Sequence, residues 1–368
     1  MKHVRPTLAR SLTATALLSL VACSSASPAS APAEPVAPTP VDAPTTDEPS
    51  AAEPPASPPD AGAAPRGCEA TSPRSTSIAV HVLPDDGEAP YVTLLAGAQT
   101  SIRVFAYQMG FGGVLDTLRA KAKAGVAVRV ILDGETQRDV NTKYKTMLEA
   151  DGVKVAWSDP SFSYMHAKSI VVDDARALVS TGNYSRSYML KERNYAATLT
   201  EPDDVSDLAA LFDADFEQKS PALSCTRLIV SPVNSRGRIE ELVRSAQKEL
   251  LVESMQLADP GVRAAIADRV KAGVDVKVVL AAPSWIDTNT KAAQYLAGVG
   301  VTARWISAPG VHVKAIVVDG VRAYLGSENL SGTSLDKNRE VGLVVSDAAA
   351  VARMRDTFTT DFAAATPF

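Results

Sequence analysis

The chain has 368 residues, with 37 Lys and Arg against 42 Asp and Glu and a formal net charge of −5. Residues 1–66 hold four of the basic and six of the acidic side chains, so the remainder stays mildly acidic. That balance tells against a dedicated nucleic-acid binder, which would carry a basic excess, while leaving room for a local basic groove.

Residues 1–22 open on Lys2, His3, Arg5 and Arg10 and continue into the apolar run LTATALLSLVA. The run is too short for a membrane span and lacks stop-transfer charges, so it reads as a secretory signal peptide. It ends in Leu20-Val21-Ala22-Cys23, which resembles the lipobox of bacterial lipoproteins, where the cysteine is lipidated and becomes the mature N-terminus. The expectation is an exported protein, lipid-anchored through Cys23 to the cell envelope without spanning the bilayer. Ser24 points to the outer membrane if the source has two membranes. Residues 23–66 are almost entirely Ala, Pro, Ser, Thr, Asp and Glu. Such a stretch has too little apolar side chain to offset its ordering entropy and should form a disordered, extended tether. Cys68 and Cys225 then remain as an even pair. An oxidising compartment allows a disulfide between them; two separate buried thiols are the other reading.

From about residue 75 the chain is written twice. AGVAVRVIL (124–132) returns as AGVDVKVVL (272–280), and Asn141-Thr142-Lys143 as Asn289-Thr290-Lys291, each 148 residues on. Gln108 and Gln256, and Trp157 and Trp305, keep that offset. From His166 onward the offset is 146: His166 matches His312, Asp173 matches Asp319, Asn183 matches Asn329, and Phe212, Asp215 and Phe216 match Phe358, Asp361 and Phe362. The change falls in one loop, SDPSFSYM before His166 against ISAPGV before His312. Phe162, Tyr164 and Met165 in the longer loop could meet an acyl chain or pack on the loop's own base.

Within each copy the pattern alternates. SIRVFAY, VAVRVIL, VKVAW, KSIVVD, ALVST and YAATL read as strands, and VLDTLRAKAKAG and TKYKTMLEADG as helices ending at Gly, with Asn141 as an N-cap. The second copy repeats this with LLVESMQL, IADRVKAG, VDVKVVL, TARW, KAIVVD, AYLGS and VGLVV. The expected fold is α/β: two duplicated α/β sandwich domains, 67–222 and 223–368, each a mixed sheet flanked by helices, packed as a pseudo-two-fold dimer within a monomer.

The repeated segment carries the chemistry. HAKSIVVD (166–173) returns as HVKAIVVD (312–319), and after six intervening residues come Ser180-Thr181-Gly182-Asn183 and Gly326-Ser327-Glu328-Asn329. In a strand, residues i and i+2 share a face, so each His projects with its Lys, and the following turn can return the Asn beside them. Two facing copies offer two imidazoles, two ammoniums and two amides. That set suits a phosphodiester: Lys168, Lys314, Asn183 and Asn329 hold the non-bridging oxygens, one neutral His attacks phosphorus, and a protonated one serves the leaving alcohol. No metal and no cofactor are called for. His3 falls in the leader, and His81, in IAVHVL, reads as a strand residue with a satisfied ring.

HxKxxxxD followed by GSxN, present twice, resembles the phospholipase D superfamily, over nearly all of 75–368. The resemblance implies His166 and His312 as the catalytic pair, with Lys168, Lys314, Asn183 and Asn329 on phosphate. Asp173 and Asp319 belong to the catalytic motif, though their position favours bracing the fold over touching substrate. The first copy departs from the pattern with Ser180-Thr181, where Thr181 keeps the hydroxyl that Ser327 supplies in the second. Twenty-eight residues after each His the copies differ again: Glu192-Arg193-Asn194 against Asn338-Arg339-Glu340. In the family an acid near this place orients the catalytic His. The expectation is that Glu340 pairs with His312 and favours its protonated form, while Asn194 leaves His166 neutral, making His166 the nucleophile and His312 the general acid.

Lipid tethering, the absence of a basic excess and the lack of flanking membrane spans favour a phospholipid at a membrane surface as substrate. The reading is hydrolysis of a phosphatidylcholine-like lipid to phosphatidate and the head-group alcohol through a phosphohistidine, with transfer to another alcohol as a further outcome. A metal-independent endonuclease acting on nucleic acid, and an inactive surface lipoprotein binding phosphorylated polymers, are the alternatives.

Overall fold

A computed structural model describes residues 67–368; the leader, Cys23 and the tether expected over 1–66 lie outside the described residues. The first copy builds β1 (Ala79–Leu83), β2 (Ser101–Ala106), β3 (Ala127–Leu132), β4 (Lys154–Trp157), β5 (Lys168–Val172), β6 (Arg176–Ser180) and β7 (Glu192–Leu199). They form one sheet in the order β1-β7-β6-β5-β2-β3-β4. The second copy builds β8 (Ile229–Ser231), β9 (Glu249–Ser254), β10 (Asp275–Ala281), β11 (Ala303–Ile306), β12 (Gly310–Val311), β13 (Lys314–Val318), β14 (Arg322–Gly326), β15 (Glu340–Val345) and β16 (Thr366–Pro367). Its sheet runs β16-β11-β10-β9-β13-β14-β15-β8, while β12 crosses over to pair with β7 of the first.

Both sheets are mixed. β2, β3 and β4 are parallel, as are β9, β10 and β11, and the strands on the other side of β2 and β9 are antiparallel. Short helices return the chain between the parallel strands, among them Gly113–Lys123 and Arg138–Ala150 in the first half and Pro260–Lys271 and Asn289–Ala297 in the second. The doubled IVV run explains itself here. Ile170 and Val172 face the core under the first half's helices, with Leu115, Leu118 and Leu148, while Val171 faces the other way. Ile316 and Val318 do the same with Ile239, Leu242 and Ile266, and Val317 points back toward Val171's side. An uninterrupted apolar run is what a strand buried on both faces requires.

The largest core joins the halves. It includes Phe105, Val171 and Val179 from the first sheet, Leu251, Val317 and Val341 from the second, and Phe212 and Phe358 from the closing helices Pro202–Phe216 and Ala348–Ala364. Ion pairs across this seam are reciprocal. Arg193 Nε reaches Asp361 at 2.6 Å, and Arg339 Nε reaches Asp215 at 2.7 Å. Equivalent residues thus trade places, the signature of a two-fold relation.

Cys68 and Cys225 are bonded, with Cα atoms 4.7 Å apart, stapling the start of the first half to the start of the second. One local expectation fails: the helix begins at Arg138, so Asn141 sits inside it rather than capping it. Its buried amide accepts from Met109 N and donates to Tyr107 O and Asp133 O, and Asn289 makes the matching bonds to Leu257 N, Met255 O and Ala281 O. The repeated Asn ties together the carboxyl ends of neighbouring parallel strands. Among the described residues no helix is long and apolar enough to cross a membrane.

Candidate active site

The two HxK segments converge because each is pinned to the opposite half. His166 N and Ala167 N donate to Arg339 O (2.8 and 3.0 Å), and His312 N donates to Arg193 O (3.1 Å). Lys168 opens β5 opposite Ala106, and Lys314 opens β13 opposite Ser254, so both ammoniums lie at the carboxyl ends of parallel strands. That end of an open α/β sheet is where ligands are usually received. His166, His312, Lys168 and Lys314 are all buried.

The crossing corrects the expected pairing. Glu340 bonds His166, not His312: His166 Nδ1 lies 2.8 Å from Oε2 and 3.0 Å from Oε1. Asn194 bonds His312, its Oδ1 3.1 Å from Nδ1. Comparing each His with the polar residue of its own copy misses this, because in a pseudo-dimer the strand that carries the partner is swapped between halves. Glu340 is steadied by Asn338 Nδ2 at 2.9 Å and by the Ser334 hydroxyl. Asn194 Oδ1 also accepts from Thr181 Oγ1 at 2.8 Å, and Thr181 Oγ1 accepts from Tyr195 N. Ser327, its counterpart, accepts from Val341 N, so it supports the backbone beside Glu340 and not the carboxylate.

Asp173 and Asp319 do not join this group. Both sit at positive φ just past their strands, where Asp is tolerated, and accept backbone amides. Asp173 takes Gln99 N, Thr100 N and Ser101 N, and Asp319 takes Gln247 N, Lys248 N and Glu249 N. They brace the start of β2 and β9, and the motif's catalytic label does not extend to them. The Ser180 departure is absorbed: its hydroxyl meets Tyr91 OH at 2.8 Å and accepts from Gly182 N. His81 pairs its Nε2 with Thr198 Oγ1 at 3.1 Å in β1, as a satisfied strand histidine.

The family model described as "Cardiolipin synthase, PLD-like domain" matches residues 91–219 and 239–362. The chain belongs to the phospholipase D superfamily of phosphodiesterases. It is 26% identical over 278 residues to cardiolipin synthase B of Salmonella typhi, covering 64% of this chain and 67% of that protein. Two solved structures share its fold. Polyphosphate kinase from Porphyromonas gingivalis superposes with a TM-score of 0.62 at 17% identity, over 77% of this chain and 46% of that one, so the chain spans under half of the kinase. Phosphatidylserine synthase from Haemophilus influenzae superposes with a TM-score of 0.61 at 15% identity, over 80% and 88%.

Electrostatics in this phospholipase D-like site set the two halves apart. Burial lowers the pKa of both histidines. For His166 the Glu340 carboxylate opposes that shift; for His312 nearby Lys314 and Lys168 add to it, and it falls well below the ordinary value. Glu340 remains a carboxylate: burial would raise it, but the His166 imidazole and Lys168 hold it below its usual range. Burial also depresses the ammoniums, Lys168 strongly and Lys314 to about 7, so an anion in the site would be what charges them. Lys314 Nζ donates to His312 O at 2.7 Å and Lys168 Nζ to His166 O. The buried amide oxygens of Asn183 and Asn329 have no hydrogen-bond partner. Among the described residues no group of His, Cys, Asp and Glu is arranged to hold a metal ion.

Sequence reasoning missed the aromatic walls. Tyr107 stands edge-on to His166 with centroids 4.6 Å apart, and its face lies 5.0 Å from Lys168 Nζ. Trp285 stacks over His312 at 6.2 Å and is 38% exposed. Tyr107 directly precedes the repeated Gln108, which was a usable signal; Trp285 falls where the first copy has Gln137, so the repeat gave none. In the longer loop, Phe162 packs under the Arg339 guanidinium at 4.3 Å and Tyr164 meets Tyr107 at 6.3 Å. Phe162 thus packs on a residue of the opposite half, and Met165 is buried in the core shared by the halves.

Proposed function

We propose that the protein is a phospholipid phosphodiesterase working through a phosphohistidine, passing a phosphatidyl group from its head-group alcohol to water or to another alcohol. The observation that carries this reading is the crossed pair of contacts: Glu340 accepts from His166 Nδ1, while His312 has the Asn194 amide on its Nδ1 and stands beside Lys314. A carboxylate on Nδ1–H fixes the tautomer and leaves His166 Nε2 as a lone pair, so His166 is the nucleophile. Its Nε2 forms the bond to phosphorus as the P–O bond to the alcohol breaks, and His312 gives its Nε2 proton to the departing oxygen. Water then attacks phosphorus, gives its proton to His312, and the N–P bond breaks. Lys168, Lys314, Asn183 and Asn329 bear on the non-bridging oxygens, and the lysines regain full charge when that anion binds.

A phospholipid is favoured as substrate by the curated relative named cardiolipin synthase B and by the lipid anchor proposed at Cys23, which would hold the enzyme at an envelope membrane. The test incubates the mature protein without divalent metal, once with phosphatidylcholine or phosphatidylglycerol plus ethanol and once with single-stranded DNA. Phosphatidylethanol or phosphatidate, lost in His166→Ala, is the expected outcome. Cutting of DNA alone would make the protein a nuclease, and no product from either would make it a binder of phosphorylated polymers.

A further inference from the structure

The two halves hold the same two residue types in opposite order. Glu192 and Asn194 open β7; Glu340 opens β15, and Asn338 lies two residues before it. In β7 the two residues are two apart and so share a face, and Asn338 meets Glu340 directly through its amide. In the second half the acid touches the imidazole and the amide steadies it. In the first half the amide touches the imidazole and the acid stands behind. Asn194 Nδ2 donates to Glu192 Oε2 at 3.4 Å, and that same oxygen lies 3.9 Å from His312 Nδ1. The orientation of Asn194 is settled by its neighbours. Its oxygen accepts from Thr181 Oγ1 and faces His312 Nδ1, so its amide nitrogen must turn to Glu192. The Glu192 side chain is only 14% exposed.

We propose that Glu192 is the positioning carboxylate of His312, displaced two residues from the place Glu340 holds, acting on the imidazole directly across 3.9 Å and through Asn194 so that His312 can carry the proton the leaving alcohol needs. The inference rests on the phosphodiesterase reading and assigns the general acid its missing partner. Burial, Lys314, Lys168 and the His166 imidazole oppose a cation on His312, and only the Thr181 backbone favours it, while Glu340 and Glu328 act on Lys314. Glu192 bears on Lys314 as well and supplies negative charge on the His312 side of the site. A hydrogen-bond chain of carboxylate, amide and imidazole polarises in one direction and strengthens the acceptor that His312 Nδ1–H meets. Burial raises the Glu192 carboxyl to about 7, so this support switches on near neutral pH, whereas Glu340 is ionised well below it.

The experiment compares Glu192→Gln with wild type on two diesters that differ in their leaving group. An alkyl alcohol needs a proton to depart and p-nitrophenolate does not. Glu192→Gln should lose about tenfold more on phosphatidylcholine than on a p-nitrophenyl phosphodiester, within the range that general acid catalysis spans. Asn194→Asp in the Glu192→Gln background, which puts the acid where Glu340's is, should restore most of the difference. An equal loss on both substrates, or no loss on either, overturns the proposal. His312 is also followed directly by NMR titration: its midpoint should drop in Glu192→Gln and recover in the double variant. An unchanged midpoint overturns the role of Glu192 even if the wild type turns over neither diester, a result that would separately sink the phosphodiesterase reading.

Discussion

The His166 and His312 halves of the site share backbone, register and lysine, and differ in what the imidazole leans on. His166 has a fully buried carboxylate on Nδ1, itself held by Asn338 and Ser334. His312 has an amide held by Thr181, with an acid one step back. Duplication supplies two equivalent imidazoles, yet the reaction needs one that gives electrons to phosphorus and one that gives a proton to oxygen. The difference shows how small an edit breaks the equivalence: one acid and one amide exchanged along a strand.

The largest effect comes from removing either imidazole. His166→Asn and His312→Asn should each lower turnover of a phospholipid by about a thousandfold or more. They should differ with a ³²P-labelled p-nitrophenyl diester. His312→Asn still forms the phosphohistidine and accumulates it, for want of a base to activate water, while His166→Asn takes up no label. Label in His166→Asn would reverse the roles of the two halves.

The next comparison is the reciprocal ion pairs. Removing one partner of a buried pair strands the other and costs about 3–5 kcal/mol. Asp215→Ala should show that cost in full, since Arg339 is then left buried. Asp361→Ala should cost less. Its neighbour Glu253 is a buried acid raised to about 8 by desolvation and by Asp361 itself, and it can ionise to face Arg193 once Asp361 is gone. Urea unfolding of the two variants decides it; equal losses would mean that Glu253 does not substitute.

Smaller again is the exchange of partner at each imidazole. Glu340→Gln should reduce turnover by about a hundredfold, because an amide can present its NH₂ to Nδ1 and leave the wrong tautomer. Asn194→Asp should hold or raise activity and move the alkaline limb of the pH–rate profile upward. A carboxylate placed on His312 raises its pKa, so the acid form persists to higher pH. An upward move of the acidic limb instead would make His312 the unprotonated partner.

These contrasts also mark what the sequence could reveal. The repeat offset, the HxK spacing and the doubly buried IVV run located both sheets and both ammoniums, because strand periodicity projects i and i+2 together wherever the strand lies. The pairing of Glu340 was not legible. Position within a copy says which residue type is near an imidazole but not which copy's imidazole, and that depends on β12 and Met165 crossing the seam. Asn141 misled for a related reason. Asn favours helix starts, but a tertiary demand for an amide between Met109, Tyr107 and Asp133 placed it one turn inside. Trp285 left no trace, since it stands opposite a Gln in the repeat and its value comes only from lying over His312.

The smallest effect is expected where the halves do not differ. Asp173→Asn and Asp319→Asn keep a residue that accepts positive φ, so their cost isolates the lost charge and hydrogen bonds at about 1–2 kcal/mol each. Asp173 should cost slightly more, because it also accepts from the Thr100 hydroxyl at 2.9 Å, where the second half has Lys248. The sign with pH follows from the folded carboxyls. Burial would raise Asp173, but the amides of Ser101, Thr100 and Gln99 outweigh it and bring it to about 2, and Asp319 is lowered in the same way. Both are below the unfolded value of about 4, so their stabilisation is present above that pH and is lost as pH falls toward 2. The difference in stability between wild type and either Asn variant should therefore shrink on acidification, while the pH–rate profile near neutrality stays where it was. A shifted profile would bring these acids back into the catalytic group, and the motif's last letter would then do more than hold the strand's start.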